Sequence, residues 1–138
     1  MTPKQIDLVQ RTWQIVAPNS LQVGEAFYNR LFEIDPSLRG MFAHDVSEQG
    51  RKLMEMINVA VNGLPHLELV RPEIENLGRR HLEEYRVTEL QYNTVGNALL
   101  WTLDQALGDA FNLEVEAAWT EAYHVIADIM KSAAYATV

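Results

Sequence analysis

Apolar positions recur along this chain at intervals of three and four, and no stretch of useful length alternates with period two. Thr2-Pro3-Lys4-Gln5 has the form of a capping box with proline at the first helical position. Ile6, Val9, Trp13 and Val16 then share a stripe that stops at Pro18. A second helix is predicted after Asn19, carrying Leu21, Phe27, Leu31 and Phe32, and Asp35-Pro36-Ser37 caps a short third one ending near Phe42. Ser47 is the expected cap of the next helix, whose stripe of Gln49, Leu53, Met56, Ile57 and Ala60 is broken by Gly63 and Pro65. Pro72 is expected to open another, with Ile74, Leu77, Gly78, His81 and Tyr85 in register. Thr88-Glu89-Leu90-Gln91 is a second capping box, and its helix continues through Leu99, Leu103 and Leu107 to Gly108. Asn112 starts a long final helix bearing Val115, Ala118, Trp119, Ala122, Ile126 and Ile129. The pattern predicts an all-α protein of about seven helices.

With 138 residues, the chain is expected to form one domain over residues 1–138. Eleven Lys and Arg against nineteen Asp and Glu leave a net charge of −8, which argues against nucleic acid and acidic lipid as partners. The absence of cysteine excludes disulfides, Cys-based zinc sites, iron–sulfur clusters and thiol catalysis. The start, MTPKQIDLVQRTW, lacks the basic-then-apolar form of a signal peptide, and no apolar run is long enough to span a membrane. The expected setting is the cytoplasm.

Two polar residues fall on faces that periodicity assigns to the interior. His81 shares a stripe with Leu77, Gly78 and Tyr85, and Gln49 heads that of Leu53 and Met56. Burying an unpaired imidazole or amide costs a few kcal/mol, so each needs a partner. A core histidine bonded to a carbonyl and a ligand to a bound group are both open for His81. Gly78, one turn earlier, offers room for something flat to approach the helix. Lys52, Arg79 and Arg80 suit the mouth of an apolar slot whose ligand has an anionic edge, or else a solvated surface. Phe27, Tyr28 and Phe42 add aromatic surface from other segments.

These residues carry a resemblance. Phe27-Tyr28-Asn29-Arg30-Leu31-Phe32, Pro36 with Phe42, Gln49-Gly50-Arg51-Lys52-Leu53, Gly78-Arg79-Arg80-His81, Tyr92-Asn93-Thr94-Val95-Gly96 and Ala118-Trp119 through Ala122-Tyr123 follow one another as in a globin. The chain is most similar to bacterial single-domain globins related to the haem domain of flavohaemoglobins. The resemblance implies a helical sandwich around one haem b. It makes His81 the proximal iron ligand, packs Phe42 on the porphyrin, and sets Tyr28 and Gln49 on the distal side as hydrogen-bond donors to bound gas. Leu53 then restricts the space over the iron, and Lys52, Arg80, Val87 and Tyr92 complete the haem contacts.

The same resemblance exposes departures. Gln49 stands where histidine is the common sixth ligand, which implies five-coordinate ferrous iron. Tyr92 matches a tyrosine that contacts the proximal histidine in flavohaemoglobins, whereas Ala134 falls where their glutamate stands, with Tyr135 the nearest polar side chain. Without that carboxylate the imidazole is a weaker electron donor, which argues against peroxidase-like chemistry. No flavin reductase domain is expected within the chain, so turnover calls for a separate electron donor. His44 is expected at the pocket edge, either in a loop or on a propionate, His66 on the surface, and His124 at a polar or packing position. Reversible binding of O2, with NO and CO as further ligands, is the expected function, and nitric oxide dioxygenation is the alternative.

Overall fold

A computed structural model describes residues 1–40, 46–85 and 87–135. Six α-helices and four short 3-10 segments make up the described residues, with no strand among them. Helix α1 spans Pro3–Val16, α2 Ser20–Ile34, α3 Val46–Gly63, α4 Leu67–Tyr85, α5 Glu89–Leu107 and α6 Leu113–Tyr135. Both capping boxes form: Thr2 and Thr88 accept from the backbone N–H of Gln5 and Gln91, whose side chains bond back. The Asn112 side chain accepts from Val115 N–H at 3.0 Å, starting α6 as expected.

Three expectations change. The segment after Asp35 is a 3-10 helix, Pro36–Gly40, held by the Asp35 carboxylate accepting from Ser37 N–H at 3.1 Å. Its expected end at Phe42 lies outside the described residues, as does His44. Helix α3 begins at Val46, so Ser47 lies inside the first turn rather than capping it. Its hydroxyl instead donates to Glu25 on α2 at 2.9 Å. Helix α4 begins at Leu67, five residues before Pro72, and runs through the proline. The bond that Pro72 cannot donate would go to Glu68 in the exposed first turn, where water can take the released carbonyl.

The principal contacts are of α2 with α3 and α5, α1 with α6, and α4 with α6. They gather the apolar side chains into two clusters. The larger joins α1, α2, α3, α5 and the first half of α6 around Val9, Phe27, Leu31, Leu103 and Trp119. The smaller joins α4 and the ends of α5 and α6 around Ile74, Val87, Tyr92, Ile129 and Met130. Indole N–H groups are satisfied inside the larger cluster: Trp13 donates to Asn58 and Trp119 to Thr12, both at 2.9 Å.

Candidate functional site

Helices α2 and α3 cross where neither has a side chain. A Cβ built on Gly24 would lie 2.8 Å from Gly50 Cα, so the two backbones touch. Tyr28 follows Gly24 by one turn on α2; Gln49 and Leu53 flank Gly50 on α3. The crossing therefore gathers Tyr28, Gln49 and Leu53 within about one turn of a single contact. Tyr28 is buried and stands edge-on to Phe27, with ring centroids 5.0 Å apart, and Phe32 lies beyond it. Gln49 and Leu53 are half-buried, and Lys52 is exposed.

His81 sits on α4, half-buried, in the last turn and a half of the helix. Its Nδ1–H donates to the carbonyl of Leu77 at 2.8 Å. That bond meets the first reading of a histidine on an apolar face, a carbonyl partner, without closing the second. It fixes the tautomer whose lone pair is on Nε2, the form in which imidazole binds a metal. Val87, buried, donates its N–H to the His81 carbonyl at 3.3 Å, and Tyr92 is buried in the same small cluster. Burial raises the Tyr92 phenol to about 12, with Tyr135 beside it adding to the effect. Tyr135, read as the nearest polar neighbour of the buried Ala134, gives its hydroxyl to the carbonyl of Val87.

Gly78 has a different role from the one its position suggested. A Cβ there would lie 2.3 Å from the carbonyl oxygen of Met130, so the space beside Gly78 belongs to the backbone of α6, not to a flat ligand. The arginines next to His81 face outward. Arg79 bonds Asn76 of its own helix at 2.8 Å, and both Arg79 and Arg80 border a charged surface depression with Glu73 and Glu83. His66 and His124 are exposed.

Between the two clusters, Leu67, Tyr123 and Ile126 touch both yet remain only partly buried. Helix α4 leans on α6 and on α3, and its contact with α2 and α5 is marginal among the described residues. The stripe Leu67, Val70, Ile74, Leu77, His81 runs along α4 without interruption. Leu67 and Val70 were missed because Pro72 was read as a helix start. Extending the spacing of three and four upstream through the proline would have found them.

Among the described residues the donor set is a single nitrogen. Among the described residues no three His, Asp or Glu side chains converge. A bare ion would be poorly held here, whereas a macrocycle that brings its own four nitrogens needs only one. Half-buried apolar side chains between two cores, one imidazole on α4, and a tyrosine with an amide at the α2–α3 crossing fit such a group.

The described helices and this arrangement are compatible with a protein that holds a flat prosthetic group between helices. The globin family model matches residues 25–130, and the chain belongs to the globin family. It is 27% identical over 144 residues to neuroglobin of Danio rerio, covering 94% of this chain and 90% of that protein. Neuroglobin of Tetraodon nigroviridis is 28% identical over 140 residues, covering 91% and 87%. A flavohemoprotein of Halalkalibacterium halodurans is 32% identical over 125 aligned residues, covering 88% of this chain. The chain spans about 30% of that longer protein. Family membership brings a haem cofactor and the binding of small gases. No helix among the described residues is long and apolar enough to cross a membrane.

Proposed function

We propose that residues 1–138 form a single globin domain that holds one haem b and binds O2 reversibly for carriage, storage or scavenging, with NO and CO as further ligands. The observation that carries this reading is the bond from His81 Nδ1–H to the Leu77 carbonyl, which makes Nε2 the ring nitrogen that would coordinate a metal. When bound, ferrous haem supplies an iron with one position for His81 and one for a gas. A carbonyl partner, rather than a carboxylate, leaves the imidazole without added anionic character. Reversible binding suits such a ligand better than oxygen activation does.

The remaining residues divide by wall. Tyr28 offers an O–H and Gln49 an N–H to the gas, and Leu53 limits the volume beside them. Gln49 would not ligate iron as histidine does, which would leave the position beside it to the gas. Lys52 and Arg80, both exposed, are at the rim as partners for the propionates. Val87 and Tyr92 support the His81 side; Phe42, a haem contact by the family resemblance, lies outside the described residues. The likeness to flavohaemoglobin haem domains supports a bacterial single-domain globin working in the cytoplasm.

The test is an absorption spectrum. Purified protein given hemin should show a Soret band that shifts under CO after reduction. His81→Ala should keep its helical circular dichroism and lose the band. A folded wild type that stays colourless with hemin would overturn the reading.

The flavohemoprotein likeness favours one second reading, nitric oxide dioxygenation. In that reaction NO, O2 and one electron give nitrate, and the electron comes from a separate reductase. Sustained NO consumption with a cellular reductase supports it; one stoichiometric burst supports the carrier.

A further inference from the structure

We infer that Glu25 and Ser47 are a positioning pair for Gln49: their hydrogen bond across the α2–α3 crossing holds the first turn of α3, and with it the Gln49 amide, in place beside the gas. The inference rests on the role proposed for Gln49 and goes beyond it, since it places control of that donor on two exposed side chains.

Gln49 is the fourth residue of α3, which starts at Val46. The first four N–H groups of a helix have no partner within it, so this turn frays before the rest. A donor placed there is only as steady as the contacts that hold the turn down. Three contacts do so. Gly50 rests on Gly24, where an added Cβ would lie 2.8 Å from Gly50 Cα. Val46 packs, partly buried, against the larger apolar cluster. Ser47 donates its hydroxyl to the Glu25 carboxylate at 2.9 Å, and it lies one turn before Gly50 on the same side of the helix.

These contacts are not equivalent. The glycine contact is a pivot about which the short stretch before it can swing, and apolar packing has no direction. A hydrogen bond does have one, and weakens steeply when misaligned. Three residues from the pivot, or about 4.5 Å along the axis, the Ser47 bond stops the swing and sets the rotation of the turn. Glu25 also brings negative charge to the positive end of α3, where Glu48 already stands in the first turn. Gln49 lies between Ser47 and Gly50 in the chain, so the direction of its amide follows from both.

The experiment compares wild type, Ser47→Ala, Glu25→Ala and the double variant, each also in combination with Gln49→Leu. Amide hydrogen exchange over residues 50–53, whose N–H groups bond back to the carbonyls of 46–49, reads the turn without haem. Stopped flow reads O2 and CO release with haem bound. Each single variant should exchange about twofold faster or more, and the double variant no faster than either. Alanine is the stronger helix former at both places, so faster exchange would not come from propensity. O2 release should quicken by about twofold or more, no further than in Gln49→Leu alone, with CO release nearly unchanged. Beside Gln49→Leu, the same substitutions should add nothing to O2 release. Wild-type exchange in both single variants overturns the tie. Faster exchange with unchanged O2 release overturns the step from tie to amide, as does an effect on O2 that persists in full beside Gln49→Leu. Wild-type O2 release in Gln49→Leu overturns the role of Gln49 itself; the inference falls with it, and the exchange rates keep the two failures apart.

Discussion

Gly24 and Gly50 meet unequally. A Cβ on Gly24 would lie 2.8 Å from Gly50 Cα and 3.0 Å from its carbonyl carbon and oxygen, whereas a Cβ on Gly50 would find Gly24 no nearer than 3.1 Å. Both sit inside helices, where alanine is worth about 0.5–1 kcal/mol over glycine on intrinsic grounds. Overpacking a close contact costs about 1–3 kcal/mol. Gly24→Ala should therefore lower stability on balance, and Gly50→Ala should come nearer to neutral. Urea midpoints of the two variants give the comparison. Equal midpoints would show that the crossing relaxes without cost.

How far such contacts could be anticipated depends on their range in sequence. The capping boxes at Thr2 and Thr88 and the Asn112 cap are local, with donor and acceptor three residues apart, and they were legible. Pro72 misled because a proline often starts a helix, while the apolar stripe continues upstream of it through Val70 and Leu67. Ser47 has the residue type of a cap, but its hydroxyl is used across space on Glu25. For the site, periodicity alone marked His81 and Gln49 as polar residues on buried faces, and the family resemblance assigned Tyr28. The role of Gly78 was not legible, since the missing side chain makes room for a helix remote in sequence. The tie from Tyr135 to Val87 was hidden for the same reason.

Tyr28 and Gln49 offer two different donors from two helices. If each hydrogen bond contributes about 0.5–1.5 kcal/mol, losing one speeds gas escape by about 2- to 12-fold. Tyr28→Phe keeps the ring that packs beside Phe27 and Phe32 and removes only the hydroxyl. O2 dissociation, followed by stopped flow, should quicken in Tyr28→Phe and in Gln49→Leu. CO dissociation should change much less, because CO draws less charge and accepts a weaker hydrogen bond. Unaltered O2 release in Tyr28→Phe would count against its place beside the gas.

Thr12 joins α1 to α6. Its hydroxyl accepts from Trp119 Nε1 at 2.9 Å and donates to the Leu8 carbonyl at 2.7 Å, with Trp119 and Thr12 both buried. Thr12→Val keeps the shape and strands the indole N–H, which costs about 1–3 kcal/mol. Thr12→Ser keeps the hydroxyl and should lie between the two. Denaturant titration checks the order, and a valine variant as stable as wild type would mean that the indole finds another acceptor.

Three tyrosines near the α5–α6 contact make stability sensitive to alkali. Burial raises Tyr92 from the ordinary 10.0 to about 12, with Tyr135 adding to it. Burial raises Tyr123 further still, with Tyr92 contributing, and its hydroxyl donates to the Tyr92 carbonyl at 2.6 Å. A phenol whose folded pKa exceeds the unfolded one holds its proton more tightly in the native state. Its stabilising effect is complete below pH 10 and is lost as pH rises through the folded value near 12. The denaturation midpoint should thus fall between those limits faster than it does below them. Tyr92→Phe and Tyr123→Phe remove a titrating group each, so the double variant should show a shallower alkaline slope than wild type. Equal slopes in wild type and double variant would mean that other groups drive the alkaline loss.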